Sequence, residues 1–384
     1  MPLTQDTEHF ETVIVGGGQA GLAVGYYLTK RGHSCVILDA NDRIGDSWRK
    51  RWPSLRLYSP ARADALPGMR FPAPSGSFPT GRDMADYLEE YARTCALPVR
   101  SGVAVDGVEK NGGGYVVTAG DRRFETDNVV LATGVFQHDR PVTPAFAAEL
   151  DPAIRQLHSA DYRGPEQLRE GPVLVVGAAH SGGDIAYEVA QAGYRTTLSG
   201  RDTGQIPFDI EGRKARFIFP VLRFAATRIL TVSTPVGRKA RGKMRTHGGP
   251  LLRVKHADLE AAGVERVFER TVGVEDGKPV LADGRVVDVA NVIWCTGFRN
   301  DYEWIRFPLP LEADGFPEQE RGAVPSSPGL YFVGLPFLHS FASMLIMGAG
   351  RDGEKVAKHI LSHRSNGRRR GRQARASVGE EIAA

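Results

Sequence analysis

The residues best suited to chemistry near the start of the chain are three glycines, Gly16, Gly18 and Gly21, with Asp39 following them. Glycines at this spacing allow a tight turn, close approach of the backbone to a pyrophosphate, and close packing of a helix on a strand. The helix N-terminus supplies unpaired N–H groups and a positive dipole end, and an acid about 20 residues further on suits a ribose hydroxyl. The pattern predicts a dinucleotide site rather than a plain strand–helix turn.

The segments around these glycines have the composition that such a turn requires. The residues from Thr12 to Val15 are β-prone, and the apolar run from Leu22 to Leu28 is helix-like. Val36 to Leu38 indicates a second buried strand, which ends at Asp39. Together these segments predict one βαβ unit.

A second copy of this unit follows later in the chain. Gly177 lies 161 residues after Gly16, and Gly182 lies 161 residues after Gly21. The same offset holds through the second strand of the unit. Two copies of a βαβ unit predict two nucleotide sites, which is a more specific signal than either copy alone.

The second copy differs from the first at two positions. Its second strand ends in Gly200 and Arg201 instead of an acid, so Arg201 suits a 2′-phosphate and favours NADP over NAD. The alternative is that Arg201 simply faces solvent. Ala179 replaces the middle glycine, and its methyl group is expected to hold the phosphates at a slightly greater distance.

The remaining segments are less regular. Residues 61–80 are rich in proline and glycine and predict an ordered loop, and such loops often form part of a site. Residues 203–262 include a basic, aromatic-rich amphipathic segment, for which we favour a lid over a substrate channel. A membrane-surface contact and a plain core helix are the alternatives. The other predicted elements are a helix from Asp83 to Thr94, an antiparallel sheet of strands 103–105, 115–118 and 123–125, and a buried strand from Asn128 to Leu131.

Composition places the chain among ordinary globular proteins. Its 384 residues, 41% hydrophobic and 24% charged, allow two or three domains with a large core. Cys35, Cys95 and Cys295 form no CxxC pair and the histidines lack metal-ligand spacing, so neither a dithiol centre nor a metal site is predicted. With no signal-like N-terminus and no long apolar run, we expect a soluble cytoplasmic protein without stable membrane insertion.

The net charge of +4 belongs to the end of the chain. Residues 364–384 contain six arginines and two glutamates, and the remainder has 43 basic and 43 acidic residues. This tail is poor in apolar residues and predicts a disordered, solvated end. A nucleic-acid partner is therefore not expected.

Several further motifs occur along the chain. They are Gly45-x-Ser47-Trp48, Leu55-Arg56-Leu57, Ala65-Leu66-Pro67-Gly68-Met69, Gln156-x-His158-Ser159-x-x-Tyr162 and Gly177-x-x-x-Ser181-Gly182, with Thr-Gly pairs at two strand ends. With the two glycine turns, these motifs resemble those of the flavin-containing monooxygenases, which are class B flavoprotein monooxygenases, in their bacterial CzcO-like group. The resemblance covers nearly all of residues 10–363. It implies an α/β fold with two Rossmann-type dinucleotide-binding domains, in which the NADP domain is inserted into the FAD domain.

The resemblance also implies a division of the chain into domains. Residues 1–165 begin the FAD-binding domain, and residues 293–363 complete it. Residues 166–292 form the NADP-binding domain with a lid-like insertion at 203–262, and residues 364–384 are the disordered basic tail.

The resemblance implies an activity and a set of site residues. NADPH reduces FAD, oxygen adds to give a C4a-hydroperoxyflavin, and a nucleophilic N or S atom of a small molecule or natural-product intermediate is oxygenated. The expected partners are therefore a small-molecule substrate and O2, in a monomer or homodimer. Tyr58 and Ser59 are candidates to hydrogen-bond the peroxide, and the alternative for Tyr58 is a packed aromatic side chain beside FAD. By match, the cofactor-binding residues are Gly16, Gly18, Gln19, Ala20, Gly21, Asp39, Ala40, Gly45, Ser47, Trp48, Val105, Ala132, Thr133, Gly134, Gly177, Ala179, His180, Ser181, Gly182, Arg201, Thr296 and Gly297.

Other functions on the same pattern stay open. The first is an NAD(P)H-dependent flavoprotein reductase or oxidase. The absence of a CxxC motif argues against a thioredoxin reductase of this kind. The second is a Baeyer–Villiger monooxygenase. Two observations argue against it: Tyr162 stands where a tryptophan is expected after the His-Ser signature, and an extra domain is missing. The third is a non-enzymatic regulator that senses a flavin or nucleotide, for which the arginine tail is the only hint.

Overall fold

The computed structural model describes residues 7–135, 140–212 and 214–362, and the predicted disordered tail, residues 364–384, lies outside them. Its helices are α1 (Gln19–Thr29), α2 (Asp46–Arg49), α3 (Gly81–Thr94), α4 (His180–Gln191), α5 (Ala215–Phe224), α6 (Pro235–Thr246), α7 (His256–Ala261) and α8 (residues 346–362), with short 3-10 turns at Ala61–Ala63, Ala145–Glu149, Pro165–Gln167 and Phe341–Met344. Its strands are β1 (Thr7–Val15), β2 (Cys35–Leu38), β3 (Val99–Arg100), β4 (Gly107–Asn111), β5 (Gly114–Ala119), β6 (Arg122–Leu131), β7 (Arg155–His158), β8 (Val173–Val176), β9 (Thr196–Ser199), β10 (Glu265–Val267), β11 (Thr271–Glu275), β12 (Lys278–Leu281), β13 (Asn291–Trp294) and β14 (Leu330–Phe332).

The larger sheet has a parallel core and an antiparallel edge. Its strands run in the order β3-β2-β1-β6-β5-β4, and β14 pairs with β6 in parallel. β6 is one strand of ten residues, where the sequence predicted two. Its first half pairs antiparallel with β5, and its second half pairs with β14, so one strand serves both parts of the sheet.

The predicted strand at residues 103–105 is wrong. The Val103 N–H donates to the Asp39 carbonyl oxygen at 2.8 Å, and the Gly102 N–H donates to that of Asn41 at the same distance. This segment therefore runs along the end of β2 instead of joining the antiparallel edge. β4 takes the expected place beside β5.

The smaller sheet repeats the parallel core of the larger one. Its strands run in the order β10-β9-β8-β13-β7, and all pairs are parallel. This order matches β3-β2-β1-β6-β14, strand for strand, with the difference that β7 comes before β8 in the chain. The predicted domain boundary after residue 165 lies beyond β7, and the predicted boundary after residue 292 lies within β13. We therefore propose boundaries before residue 155 and after residue 294.

Burial explains why these segments form sheets covered by helices. β2, β8 and β13 are buried at every residue, as expected for parallel strands covered on both faces. α3 begins at Gly81 because Thr80 and Asp83 form a reciprocal capping box. The same helix orders the proline-rich loop: the Tyr87 hydroxyl accepts from the Leu66 N–H at 2.6 Å, and the Tyr91 hydroxyl donates to the Pro67 carbonyl oxygen at 2.8 Å.

The insertion at residues 203–262 contains α5, a π-helical turn, α6 and α7. Hydrogen bonds and an ion pair attach it to the first domain. Arg351 donates to the Thr227 carbonyl oxygen at 2.5 Å, the Val232 N–H donates to that of His339 at 3.0 Å, and Arg245 pairs with Glu312 at 2.8 Å. The insertion thus spans from the second domain to the first.

Candidate functional site

The first glycine turn leaves no room for side chains at two positions. Gly16 has a φ of +110°, and a Cβ there would lie 2.6 Å from the Ala132 carbonyl oxygen. A Cβ on Gly21 would lie 2.0 Å from the Gly16 carbonyl oxygen, so the third glycine lets α1 pack against β1. A Cβ on Gly18 would meet no described atom within 4 Å. The open position is the one at which a pyrophosphate approaches the backbone.

The N-terminus of α1 and the end of β2 complete this site. Gly18 is the N-cap of α1 and has no polar side chain, so the first N–H groups of the helix remain suited to a phosphate. The Asp39 carboxylate accepts from the Gly17 N–H at 2.6 Å and from the side-chain amide of Asn41 at 2.9 Å. The acid is therefore held at the turn, in the position expected for ribose recognition.

The second glycine turn has nearly the same geometry. Gly177 has a φ of +110°, and Cβ atoms on Gly177 and Gly182 would lie 2.4 Å and 1.7 Å from the carbonyl oxygens of Cys295 and Gly177. At the middle position Ala179 has φ −87° and ψ −168°, and Gly18 has φ −75° and ψ −178°. Because this backbone conformation is open to any residue, alanine is accommodated without strain. Both turns therefore fit a dinucleotide.

A glycine pair of the insertion packs over the start of α4. A Cβ on Gly248 would lie 2.7 Å from the Ala179 Cβ, and a Cβ on Gly249 would collide with the His180 ring. Burial lowers the pKa of His180, which favours the neutral ring. Only glycine at positions 248 and 249 therefore allows the insertion to pack this closely against Ala179 and His180.

Arg201 lies at the end of β9 and is exposed. The next residue, Asp202, is 3.3 Å from His256 Nε2 and 3.6 Å from Arg266 Nη2. His256 and Arg266 thus face Asp202, and within the described residues Arg201 has no acidic partner. An exposed, unpaired guanidinium directly after β9 suits an additional phosphate better than a bare hydroxyl.

The other predicted cofactor residues are distributed around the two turns. Gln19 and His180 are the first residues of α1 and α4, and Gly45 is the N-cap of α2 with a φ of +91°. The Thr296 hydroxyl donates to the Val142 carbonyl oxygen, whereas its counterpart Thr133 is exposed. The rest lie in α1 (Ala20), after β2 (Ala40), in α2 (Ser47, Trp48), beside the end of β2 (Val105), after β6 (Ala132, Gly134), in α4 (Ser181) and after β13 (Gly297).

Tyr58 connects the two nucleotide-binding domains. Its hydroxyl donates to Asp184 Oδ2 in α4 at 2.6 Å, and its ring centroid lies 5.4 Å from that of His180. Burial and the Asp184 charge raise the pKa of Tyr58 well above its usual 10.0. The hydroxyl therefore remains a neutral donor at physiological pH.

Arg253 fixes the backbone immediately before this tyrosine. Its guanidinium donates to the carbonyl oxygens of Leu57 at 2.7 Å and Arg56 at 3.2 Å, and it lies 5.5 Å from the Tyr58 ring centroid. Glu211 pairs with the same guanidinium at 2.9 Å. The loop that carries Tyr58 is thus held by the second domain and its insertion.

Ser59 points to a buried acid that the sequence patterns did not identify. Its hydroxyl donates to Asp64 Oδ1 at 2.5 Å, and Asp64 is fully buried. Asp64 Oδ2 has no hydrogen-bond partner within the described part of the chain. Burial raises the pKa of this carboxyl to about 7, and the Ser59 bond opposes the rise. The only sequence signal was an aspartate between two alanines in a loop of apolar residues.

The cysteines are unsuited to thiol chemistry. Burial raises the pKa of Cys35 and Cys95, and that of Cys295 to about 12. In the ranges that the structure describes, no group of three His, Cys, Asp or Glu residues is placed to hold a metal ion. The helices in these ranges are also too short or too polar to cross a bilayer.

Two dinucleotide turns on two similarly ordered parallel sheets define a two-nucleotide oxidoreductase. Residues 13–211 match the model of the pyridine nucleotide-disulphide oxidoreductase family. The uncharacterized CzcO-like oxidoreductase of Geobacillus kaustophilus is 35% identical over 92% of this chain and 99% of its own length. The chain therefore belongs to this oxidoreductase family and, within it, to the flavin-containing monooxygenases of the CzcO-like group, as the sequence motifs predicted.

Two further relatives agree with this assignment. A flavin monooxygenase from Stenotrophomonas maltophilia, solved as a mutant with two substitutions, is 27% identical and superposes with a TM-score of 0.75 over 93% of this chain and 99% of that one. Indole-3-pyruvate monooxygenase YUCCA6 of Arabidopsis thaliana is 27% identical over 91% of this chain and 89% of its own. The predicted fold class is confirmed, and the predicted cofactor pair of FAD and NADPH agrees with the family.

Proposed function

We propose that the protein is a cytoplasmic, NADPH-dependent flavin monooxygenase that oxygenates a nucleophilic N or S atom of a small molecule. The observation that carries the proposal is the repeated turn, with an acid at the end of β2 and basic groups at the end of β9. The acid suits the ribose of FAD, and Arg201 suits the 2′-phosphate of NADPH. The residues thus provide for two different dinucleotides.

The state of the thiols favours oxygen transfer over disulfide exchange. A flavoprotein disulfide reductase passes electrons through a reactive thiolate, which requires a low cysteine pKa. Here burial raises the pKa of Cys295 to about 12, and Cys35 is buried. Reduced flavin therefore has oxygen as its available acceptor.

Bound FAD would supply the redox chemistry, with NADPH as the source of electrons, O2 as the source of the oxygen atom transferred to the substrate, and water as the second product. The residues around the flavin have positioning and proton-holding roles. We assign Ser59 to orient the oxygen species, because its hydroxyl is fixed by Asp64. Asp64, with a pKa of about 7, can hold the proton that the departing water requires. Tyr58 keeps its loop against α4.

The oxidative half-reaction tests this proposal. Purified protein is reduced with NADPH without oxygen and then mixed with oxygenated buffer while the flavin spectrum is recorded. A transient C4a-hydroperoxyflavin spectrum that a thioether such as thioanisole discharges is the expected result. Direct return to oxidised flavin, with stoichiometric hydrogen peroxide and no effect of the thioether, would refute oxygen transfer.

The second nucleotide is tested by Arg201→Ala. Loss of one charge–phosphate contact is expected to lower the preference for NADPH over NADH by about tenfold or more. Arg82→Ala provides the matched control, because Arg82 is also exposed and lies in α3. An unchanged preference in the Arg201 variant would assign that side chain to solvent.

A further inference from the structure

The insertion exposes a row of apolar side chains on α5. Phe217, Val221 and Phe224 are spaced four and three residues apart, which places them on one face of the helix. Their exposed fractions are 69%, 66% and 59%. Three large apolar residues exposed together on a helix indicate an interaction site more than scattered surface residues would. We call this face, with Arg216 and Arg223 beside it, the α5 surface.

The charge around this surface has one sign. Residues 215–246 contain eight arginines and lysines and no aspartate or glutamate. Arg241 and Arg245 are neutralised, because both pair with Glu312 and Arg245 also pairs with Asp314. Within the described ranges, the other six basic residues have no acidic group within ion-pairing distance: Arg216, Arg223, Arg228, Arg238, Lys239 and Lys243.

α6 has the same character as α5. Val236, Ala240 and Met244 line a shallow apolar groove of about 360 Å³, together with Lys239 and Lys243. The spacing of four residues between successive apolar side chains again defines one helix face. Basic side chains beside exposed apolar ones thus occur on both α5 and α6.

The first domain holds these helices in place. The Phe341 N–H donates to the Leu230 carbonyl oxygen at 2.8 Å, and Arg351 donates to that of Thr227 at 2.5 Å. These bonds lie directly after α5, so the helix cannot turn its apolar face inward without breaking them. A groove of about 290 Å³ next to α5, lined by Arg62, Phe219 and Arg228, adds to the same mixture of charge and apolar area.

We infer that the α5 surface docks the enzyme onto an anionic membrane surface, a property that goes beyond the oxygenation reaction and does not depend on it. Apolar side chains enter the boundary of the acyl chains while basic ones bind acidic headgroups. A second copy of the chain fits poorly, because a symmetric contact would place unneutralised cations against themselves. Nucleic acid leaves Val221 and its apolar neighbours without a partner. The chemistry therefore selects anionic lipid.

Co-sedimentation of the full-length protein with vesicles tests this inference. The vesicles are an equimolar mixture of phosphatidylglycerol and phosphatidylcholine, with pure phosphatidylcholine as the comparison. We expect binding to the anionic vesicles only, weakened by salt. Replacing Phe217, Val221 and Phe224 together by serine is expected to lower the partition coefficient about tenfold or more. Replacing Arg216 and Arg223 by glutamine is expected to lower it about fivefold per residue.

The matched control replaces equally accessible apolar residues elsewhere, Phe268, Val272 and Leu311, by serine. This variant should bind as the wild type does, and all variants should keep their flavin and circular dichroism spectrum. Equal binding to neutral vesicles, no binding, or binding that the α5 variants leave intact would overturn the inference. A dimer that only the triple serine variant dissociates would instead assign the surface to a second copy, and DNA binding lost in the arginine variant would assign it to nucleic acid.

Discussion

The second and third glycines of the first turn offer a paired test of its role. Gly18→Ala and Gly21→Ala add the same methyl group three residues apart. At Gly21 the new Cβ would lie 2.0 Å from the Gly16 carbonyl oxygen, which belongs to the backbone and cannot rotate away. At Gly18 it would meet no described atom within 4 Å. The same chemical change should therefore damage the fold at one position and only the ligand site at the other.

The expected magnitudes follow from this geometry. In Gly21→Ala, the new Cβ and the Gly16 carbonyl oxygen would be more than 1 Å closer than van der Waals contact, so α1 would have to move. This movement should lower the free energy of unfolding by about 3 kcal/mol or more, which exceeds the ~1 kcal/mol by which alanine stabilises a helix relative to glycine. For Gly18→Ala, the φ of −75° suits alanine, so the free energy of unfolding should stay constant or rise by up to about 1 kcal/mol. Ala179 already occupies the equivalent position of the second turn.

Two measurements on the apoprotein distinguish the variants. Urea unfolding gives the free energy of unfolding, and quenching of FAD fluorescence gives the dissociation constant of the cofactor. Gly18→Ala should keep the stability and weaken FAD binding about tenfold or more, because its methyl group occupies the space of the pyrophosphate. A Gly18 variant that unfolds as easily as the Gly21 variant, or that binds FAD unchanged, would refute the assignment of this turn.

Three further predictions concern the Asp64 carboxyl, the Tyr58–Asp184 hydrogen bond and the ion pairs of Glu312. Burial raises the Asp64 pKa from 3.8 to about 7, so between these pH values the folded state keeps a proton that the unfolded state has lost. The free energy of unfolding should therefore fall by up to about 4 kcal/mol as the pH rises from 3.8 to about 7. Asp64→Asn should abolish this part of the pH dependence, measured by urea titrations at several pH values. Tyr58→Phe removes the bond to Asp184 and should cost about 1–3 kcal/mol, with a non-zero coupling energy in a double-mutant cycle with Asp184→Ala. Arg245→Ala leaves a buried ion pair broken and should cost about 3–5 kcal/mol, whereas Arg241→Ala, at a more exposed side chain, should cost about 1 kcal/mol. An unaltered pH dependence in Asp64→Asn would contradict the raised pKa of Asp64. A coupling energy of zero would contradict the Tyr58–Asp184 bond, and equal costs for the two arginine variants would contradict the difference in burial.

The nucleotide turns were predictable because their determinants are local. The end of the strand, the glycines and the start of the helix all lie within about ten residues, so a short sequence pattern identifies each turn. The 161-residue offset between Gly16 and Gly177 then predicted the second sheet. α3 was also predicted, and its start at Gly81 differs by two residues because the Thr80 capping box sets it.

Contacts between distant segments were not predictable. Tyr58 and Asp184 are 126 residues apart and meet only because the two domains pack together. β7 precedes the other strands of the sheet to which it belongs, so chain order alone did not place it in that sheet. α8 begins at residue 346 and includes Gly348, Gly350 and Gly353, because glycines in its first turns are tolerated where packing fixes the helix. Single-sequence patterns do not carry such tertiary information.

The fate of molecular oxygen tests the central claim most directly. The enzyme is incubated with NADPH, a thioether and ¹⁸O2, and the sulfoxide is analysed by mass spectrometry alongside the NADPH consumed. The monooxygenase account predicts one labelled oxygen atom in each sulfoxide and one NADPH oxidised per product. NADPH oxidation that yields only labelled hydrogen peroxide, with no label in the organic product, would contradict it.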